Sequence, residues 1–238
     1  MLLCLDAGNT RLKYGLREGA EWRVLGALDY AEFNDLPKRL PAPPRRIVAC
    51  NVAGDGPQAQ IEALAKRLRI PLAWLRSTAV AGGVSNGYDK PPQLGTDRWA
   101  ALIGARALHV EACVVVVAGT ATTIDVLDGQ GRFLGGLILP GLALMRSALA
   151  QNTAGLPLAR GRYRALATNT DDAIVSGALH ATLGAIERIR ATQEAGVACL
   201  LSGGAAVELV PHMKRPYRVI DNLVLEGLAR FSLSDAGT

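Results

Sequence analysis

Residues 3–16, LCLDAGNTRLKYGL, decide how the chain folds. Leu2 to Leu5 is a short apolar run suited to a buried strand, and Arg11 to Arg17 alternates polar and apolar positions, as a strand returning beside it does. An ordinary hairpin needs only turn-forming residues between the two. Here the junction reads Asp6, Ala7, Gly8, Asn9, Thr10, Arg11, Leu12, Lys13. A glycine brings backbone N–H groups close to an anion, while Asn, Thr and Lys side chains add donors, so the turn reads as a phosphate cradle. Asp6, at the end of the entering strand, supplies the carboxylate oxygen that Mg²⁺ favours. By itself the stretch also fits a plain hairpin in which Asp6 and Asn9 make turn hydrogen bonds.

Further along, the same arrangement returns. Val114 to Val117 is β-branched, AGTATTID (118–125) is a turn rich in glycine and threonine, and Val126 to Leu137 reads as a hairpin through LDGQGR (127–132). A third glycine-bearing junction, SGGAA at 202–206, leads from a strand into a helix start. Two similar lobes facing each other would place the first two turns at one cleft. Around them, Trp22 to Leu28 and Ile47 to Asn51 read as strands, and Gln58 to Leu68, Asp97 to His109, Thr170 to Ile189 and Asn222 to Phe231 as helices. Thr96 is placed to cap the second of these helices. Ser77 to Thr96 is a long Gly/Pro-rich loop of the kind that carries function.

With 238 residues, 50% of them apolar, the chain can fill two modest cores. Its longest apolar stretch, Ala112 to Ala118, is far short of the roughly 20 residues a bilayer span needs, and Asp6 interrupts the N-terminal apolar run, so a cytoplasmic protein with no membrane partner is expected. Cys4, Cys50, Cys113 and Cys199 lie far apart in apolar runs, as buried free thiols do. The net charge of +5 comes from scattered clusters at 38–46, 160–164 and 214–218 without an RNA-binding aromatic signature. No nucleic-acid partner is expected, and a modest positive field suits anionic small molecules.

DAGNTRLK (6–13), NGY (86–88), GTDR (95–98), GTATTID (119–125), GGLILPG (135–141), NTDDAIVSG (169–177) and SGGAA, in this order, resemble the type III pantothenate kinases from residue 3 to about residue 230. The resemblance implies an α/β protein of two ribonuclease H-like lobes, the actin-like ATPase fold, around a central cleft, with lobes at residues 1–110 and 111–238. It implies ATP-dependent phosphorylation of pantothenate, the first step of coenzyme A biosynthesis. By the same resemblance, Asp6 through Lys13 and Thr120 hold ATP, Asp6 lies near Mg²⁺, and Asp97 accepts the proton of the substrate hydroxyl. Arg98 holds the pantothenate carboxylate, with Tyr88, Gly95 and Thr96 also at the substrate. Thr170 reaches pantothenate from the partner subunit of a homodimer.

Two of these positions have local readings as well. An acid in a first helical turn, like Asp97, is favoured by the helix dipole, and Thr170 before Asp171 and Asp172 fits a helix N-cap. One position departs from the family. Where its members commonly carry an aspartate associated with K⁺ or NH₄⁺, two residues before Gly119, this chain has Val117. That leaves either a lost cation dependence or another oxygen, such as that of Asp125, in its place. It also keeps open an alternative reading, a catalytically weak nucleotide-binding regulatory protein on the same fold.

Overall fold

β1 (Leu2–Ala7) and β2 (Leu12–Glu18) form the expected antiparallel pair, with Asp6 opposite Lys13 and Ala7 opposite Leu12. β3 (Glu21–Leu28) extends the sheet antiparallel on one side, and β4 (Arg46–Asn51) and β5 (Leu72–Trp74) extend it in parallel on the other. The order is β3-β2-β1-β4-β5. Parallel neighbours need crossovers. A 3-10 turn (Tyr30–Asp35) with α1 (Leu36–Arg39) precedes β4, and α2 (Asp55–Leu68) precedes β5. Leu3, Leu5 and Ala7 pack with Phe33, Leu36, Ile61 and Leu64 on one face of the sheet. Strand alternation therefore sends Cys4, Asp6 and Cys50 to the opposite face.

This computed structural model describes residues 1–235 and resolves the chain into two units. The first comprises residues 1–111, 129–134 and the segment from Asn222 onward; the second comprises 112–128 and 135–221. The sequence reading carried the second lobe through to residue 238, whereas α7 (Leu223–Asp235) belongs to the first unit. It packs on β1, β4 and α3 (Thr96–Leu108), with Leu223, Leu225 and Leu228 buried. At the contact between these helices Gly104 faces the Leu223 carbonyl and Gly227 the Ala100 carbonyl, where any added methyl would collide. Backbone can meet backbone there only because both positions lack a Cβ. Glu226 then accepts from Arg17 and from the Trp22 indole, tying the helix to β2 and β3.

The long loop before α3 has structure of its own: a small hairpin of β6 (Val80–Ala81) and β7 (Val84–Ser85), then a 3-10 turn at Pro91–Gln93.

In the second unit, β8 (Cys113–Ala118) pairs antiparallel with β9 (Ala121–Leu127), and β10 (Phe133–Pro140), whose first two residues group with the first unit, lies beside β9. β11 (Ala198–Ser202) and β12 (Tyr217–Val219) run parallel on the far side of β8, giving β10-β9-β8-β11-β12. The strand order of the first sheet is thus repeated. α4 (Leu142–Asn152), which the sequence reading did not identify, and α5 (Thr170–Arg190) follow β10, and α6 (Ala206–Leu209) follows the SGG junction. Val114, Val116, Ile124, Leu142, Ile174, Leu179 and Leu201 form this unit's core. All four cysteines are free and buried. No helix among the described residues is long and apolar enough to cross a membrane.

Candidate active site

The first turn projects from the end of the β1/β2 pair. Gly8 is half-buried, and Asn9, Thr10 and Arg11 are exposed. Ala7 and Leu12 are fully buried in the core, so at these two positions only the backbone can face a ligand. Asp6 is 4% exposed although it carries a carboxylate. Its Oδ2 lies 3.7 Å from Lys13 Nζ and its Oδ1 accepts from the Cys50 thiol at 3.5 Å. Burial pushes the Asp6 carboxyl above its ordinary range; Lys13 opposes the shift, and the nearby charge of Asp97 adds to it. The Cys50 thiol is pushed up as well, first by burial and then by Asp6. Two carboxylates and a lysine therefore share one neighbourhood at the end of this sheet.

Asp97 sits in the first turn of α3, where the helix dipole favours an acid. Its Oδ1 accepts from the Arg98 backbone N–H at 2.8 Å. Gly95, not Thr96, occupies the N-cap position; the Thr96 hydroxyl donates instead to the Asn51 carbonyl at 3.2 Å, fastening the start of α3 to the end of β4. The expected threonine cap is thus replaced by a tertiary bond.

Arg98 is 4% exposed, and its guanidinium donates to the Tyr88 hydroxyl at 2.6 Å. It lies 5.6 Å from the Tyr88 ring centre and 5.8 Å from that of Phe133, while the two rings stack at 5.6 Å. Tyr88 is set by an Asx turn, its N–H donating to Asn86 Oδ1, and Asn86 in turn donates to the Thr78 and Pro91 carbonyls. Arg98 and Tyr88 accordingly act as one cation–hydroxyl unit. A surface cavity of about 330 Å³ lined by Ser85, Asn86, Gly87, Arg132, Phe133 and Leu134 adjoins this loop, but Asp6, Asp97 and Arg98 do not line it.

In the second unit, Thr120 is exposed at the tip between β8 and β9. Its carbonyl accepts from the Gly141 N–H at 2.9 Å, and the Ala118 carbonyl accepts from the Ala205 N–H at 3.1 Å. Gly203, with φ of +97°, lets the SGG junction pass directly over Ala118, a place and a conformation that a side chain would forbid. Val117 lies opposite Thr123, whose buried hydroxyl finds no partner, and Asp125 is two residues further along β9 and fully buried. The Val117 side chain has no ligating oxygen, so it cannot hold a monovalent cation itself, and the nearest carboxylate along this face of the pair is that of Asp125, opposite Val115. Thr170 is exposed at the first position of α5, where Asn169 is the N-cap and accepts from Asp172 N–H at 2.9 Å. Its hydroxyl is not spent on the cap.

Asp6 to Lys13, Tyr88, Gly95, Thr96, Asp97 and Arg98 thus belong to the first unit, and Thr120 and Thr170 to the second. Sequence reasoning missed Phe133, Tyr30 and Cys50. The Tyr30 hydroxyl donates to the Gly8 carbonyl at 2.6 Å. None of the three lies in a motif; each reaches its partner through the tertiary fold.

The sequence profile of a family described as type III pantothenate kinase matches residues 2–192. A protein of Aromatoleum aromaticum named type III pantothenate kinase is 52% identical over 99% of both chains, and one of Dechloromonas aromatica with the same name is 46% identical over 98% of this chain and 99% of its own. Among solved structures, a Campylobacter jejuni protein named for a Baf family of transcriptional activators superposes with a TM-score of 0.66 at 21% identity, covering 99% of this chain and 100% of the other. The activator of 2-hydroxyisocaproyl-CoA dehydratase from Clostridium difficile, solved with ADPNP, gives 0.53 at 11% identity over 99% and 95%. At such identities these two structures speak for the fold alone.

Proposed function

The chain belongs to the type III pantothenate kinase family, and from that premise we propose that it transfers the terminal phosphoryl group of ATP to the primary hydroxyl of pantothenate, opening coenzyme A biosynthesis. The observation that carries this reading is the 52% identity over 99% of both chains. The geometry of the first unit supports it, since Asp97, Arg98 and Tyr88 accompany the Asp6 turn there.

The roles follow from the chemistry and placement of each group. With Asp97 Oδ1 held by the Arg98 amide, Oδ2 is left to accept a hydrogen bond from the pantothenate hydroxyl and then its proton. Phosphoryl transfer has a loose transition state, so aiming the hydroxyl and balancing charge contribute more than a strong base would. Tyr88 and Arg98 hold the acidic end of pantothenate, with Gly95 and Thr96 shaping the approach. The amides of residues 8–11 and Lys13 bind ATP phosphates, and Thr120 is a nucleotide contact of the second unit. Asp6, a hard-oxygen donor whose charged form is disfavoured first by burial and then by the charge of Asp97, suits a divalent cation. Mg²⁺ supplies neutralisation of the phosphate oxygens when bound. A K⁺ or NH₄⁺ ion has no part in this reading, because Val117 does not fit one. Thr170 acts on the pantothenate of a partner subunit, which makes the functional form a homodimer. The four free thiols suit a cytoplasmic home.

Coupled measurement of ADP release tests the proposal. Release from MgATP that depends on added pantothenate is expected. ATP binding without such release would establish the regulatory reading in its place.

A further inference from the structure

Two side chains outside every motif lie beneath the first turn. Tyr30 opens the 3-10 turn after β3 and donates to the Gly8 carbonyl at 2.6 Å, across 22 residues of chain. Cys50, in register with Asp6 on the neighbouring parallel strand, donates to Asp6 Oδ1 across 44 residues. Neither bond is local to the hairpin, so both constrain it from outside.

Peptide geometry gives the first bond its consequence. In a planar trans peptide the C=O and the following N–H point in opposite directions. Anchoring the Gly8 oxygen on Tyr30 therefore turns the Asn9 N–H away from Tyr30. Asn9 is exposed, and its N–H meets no acceptor among the described residues. Were the carbonyl free to rotate outward, its partial negative charge would face a phosphate oxygen. The second bond occupies Asp6 Oδ1 and so leaves Oδ2 on the Lys13 side. The Tyr30 hydroxyl is pushed up to about 12, chiefly by burial and then by Asp6 and Cys50, so it remains a donor.

We propose that Tyr30 and Cys50 are positioning residues of the phosphate turn: Tyr30 sets which edge of the Gly8–Asn9 peptide meets the nucleotide, and Cys50 fixes the orientation of Asp6. The inference rests on the reading of this turn as the nucleotide site.

Calorimetric titration with ADP, with and without Mg²⁺, separates the two. If the wild-type chain binds no ADP, the nucleotide reading fails and this inference falls with it. If it binds, Tyr30→Phe weakens ADP affinity roughly 3- to 10-fold, the worth of one hydrogen bond, and raises the KM for ATP in step while the KM for pantothenate holds. Cys50→Ala weakens ADP binding more with Mg²⁺ than in EDTA, and Cys50→Ser, which keeps a donor, restores it. In the wild-type chain, amides of residues 8–11 gain protection from hydrogen exchange on adding ADP, a readout that needs no variant to fold. A Tyr30→Phe protein with unchanged ADP affinity, even one with a lower Tm, overturns the role of Tyr30. Failure of Cys50→Ser to recover the Mg²⁺-dependent affinity overturns that of Cys50, and unprotected amides with ADP bound overturn the orientation of the turn.

Discussion

The two central hairpins share a topology and differ in chemistry. At the penultimate rung of the first, Asp6 faces Lys13; at the penultimate rung of the second, Val117 faces Thr123. The first turn is held by side chains, with Tyr30 on the Gly8 carbonyl and Cys50 and Lys13 on Asp6. In the second the Gly141 N–H donates to the Thr120 carbonyl, while one backbone bond is common to both turns, from Val52 N–H to the Ala7 carbonyl in the first and from Ala205 N–H to that of Ala118 in the second. One scaffold has thus been given two kinds of turn, one charged and one neutral. A charged turn can orient a metal and offset phosphate charge, whereas a neutral one offers only amide and hydroxyl donors.

This division predicts that losing a charge in the first unit costs turnover, while disturbing the second unit costs affinity. Asp97→Asn provides the largest effect: kcat falls by a factor on the order of 10² or more, the usual worth of a positioned base, while ADP affinity measured by calorimetry is unchanged. An unaltered kcat would break the assignment of chemistry to the first unit. Gly203→Ala comes next, because a methyl at φ of +97° meets the Ala118 backbone. Strain of this kind costs about 1–3 kcal/mol, read as a lower Tm together with weaker ADP binding. A variant with wild-type Tm and affinity would show that the second turn does not depend on the glycine passing over it.

Thr170→Ala is smaller. It removes a hydroxyl that the helix cap does not use, so Tm holds while the KM for pantothenate rises by roughly 2- to 10-fold and that for ATP stays put. Steady-state kinetics on size-fractionated protein checks this, and full activity in a monomer would remove Thr170 from the site. The smallest effect expected is none: replacing K⁺ by Na⁺ leaves turnover unchanged because Val117 cannot ligate a cation. A rate that collapses in Na⁺ would show that backbone or Asp125 oxygens have taken over that task.

The elements with strong local signals were legible in the sequence. The alternation across Arg11 to Arg17, the spacing of Ile61, Leu64 and Ala65, and the small residues of α5 each report their own partners, so strands and helices fell where periodicity put them. α4 did not show itself, because Pro140-Gly141 reads as a loop and the helix leaves Leu144 and Leu149 exposed, which blurs its apolar face. The return of α7 to the first unit was equally hidden, since it depends on two glycines more than a hundred residues apart. At the site, the motif residues were identified but their supports were not. Thr96 looks like a cap until β4 offers it the Asn51 carbonyl, and Tyr30, Cys50 and Phe133 acquire meaning only beside Gly8, Asp6 and Tyr88.

The position of α7 has a bearing on how the protein is made. Because domains tend to fold as they leave the ribosome, the unit bearing Asp97 emerges early, yet it lacks its inner helix until all of the second unit has been translated. A chain that stops before α7 therefore leaves the β1/β4 face without the helix that packs on it.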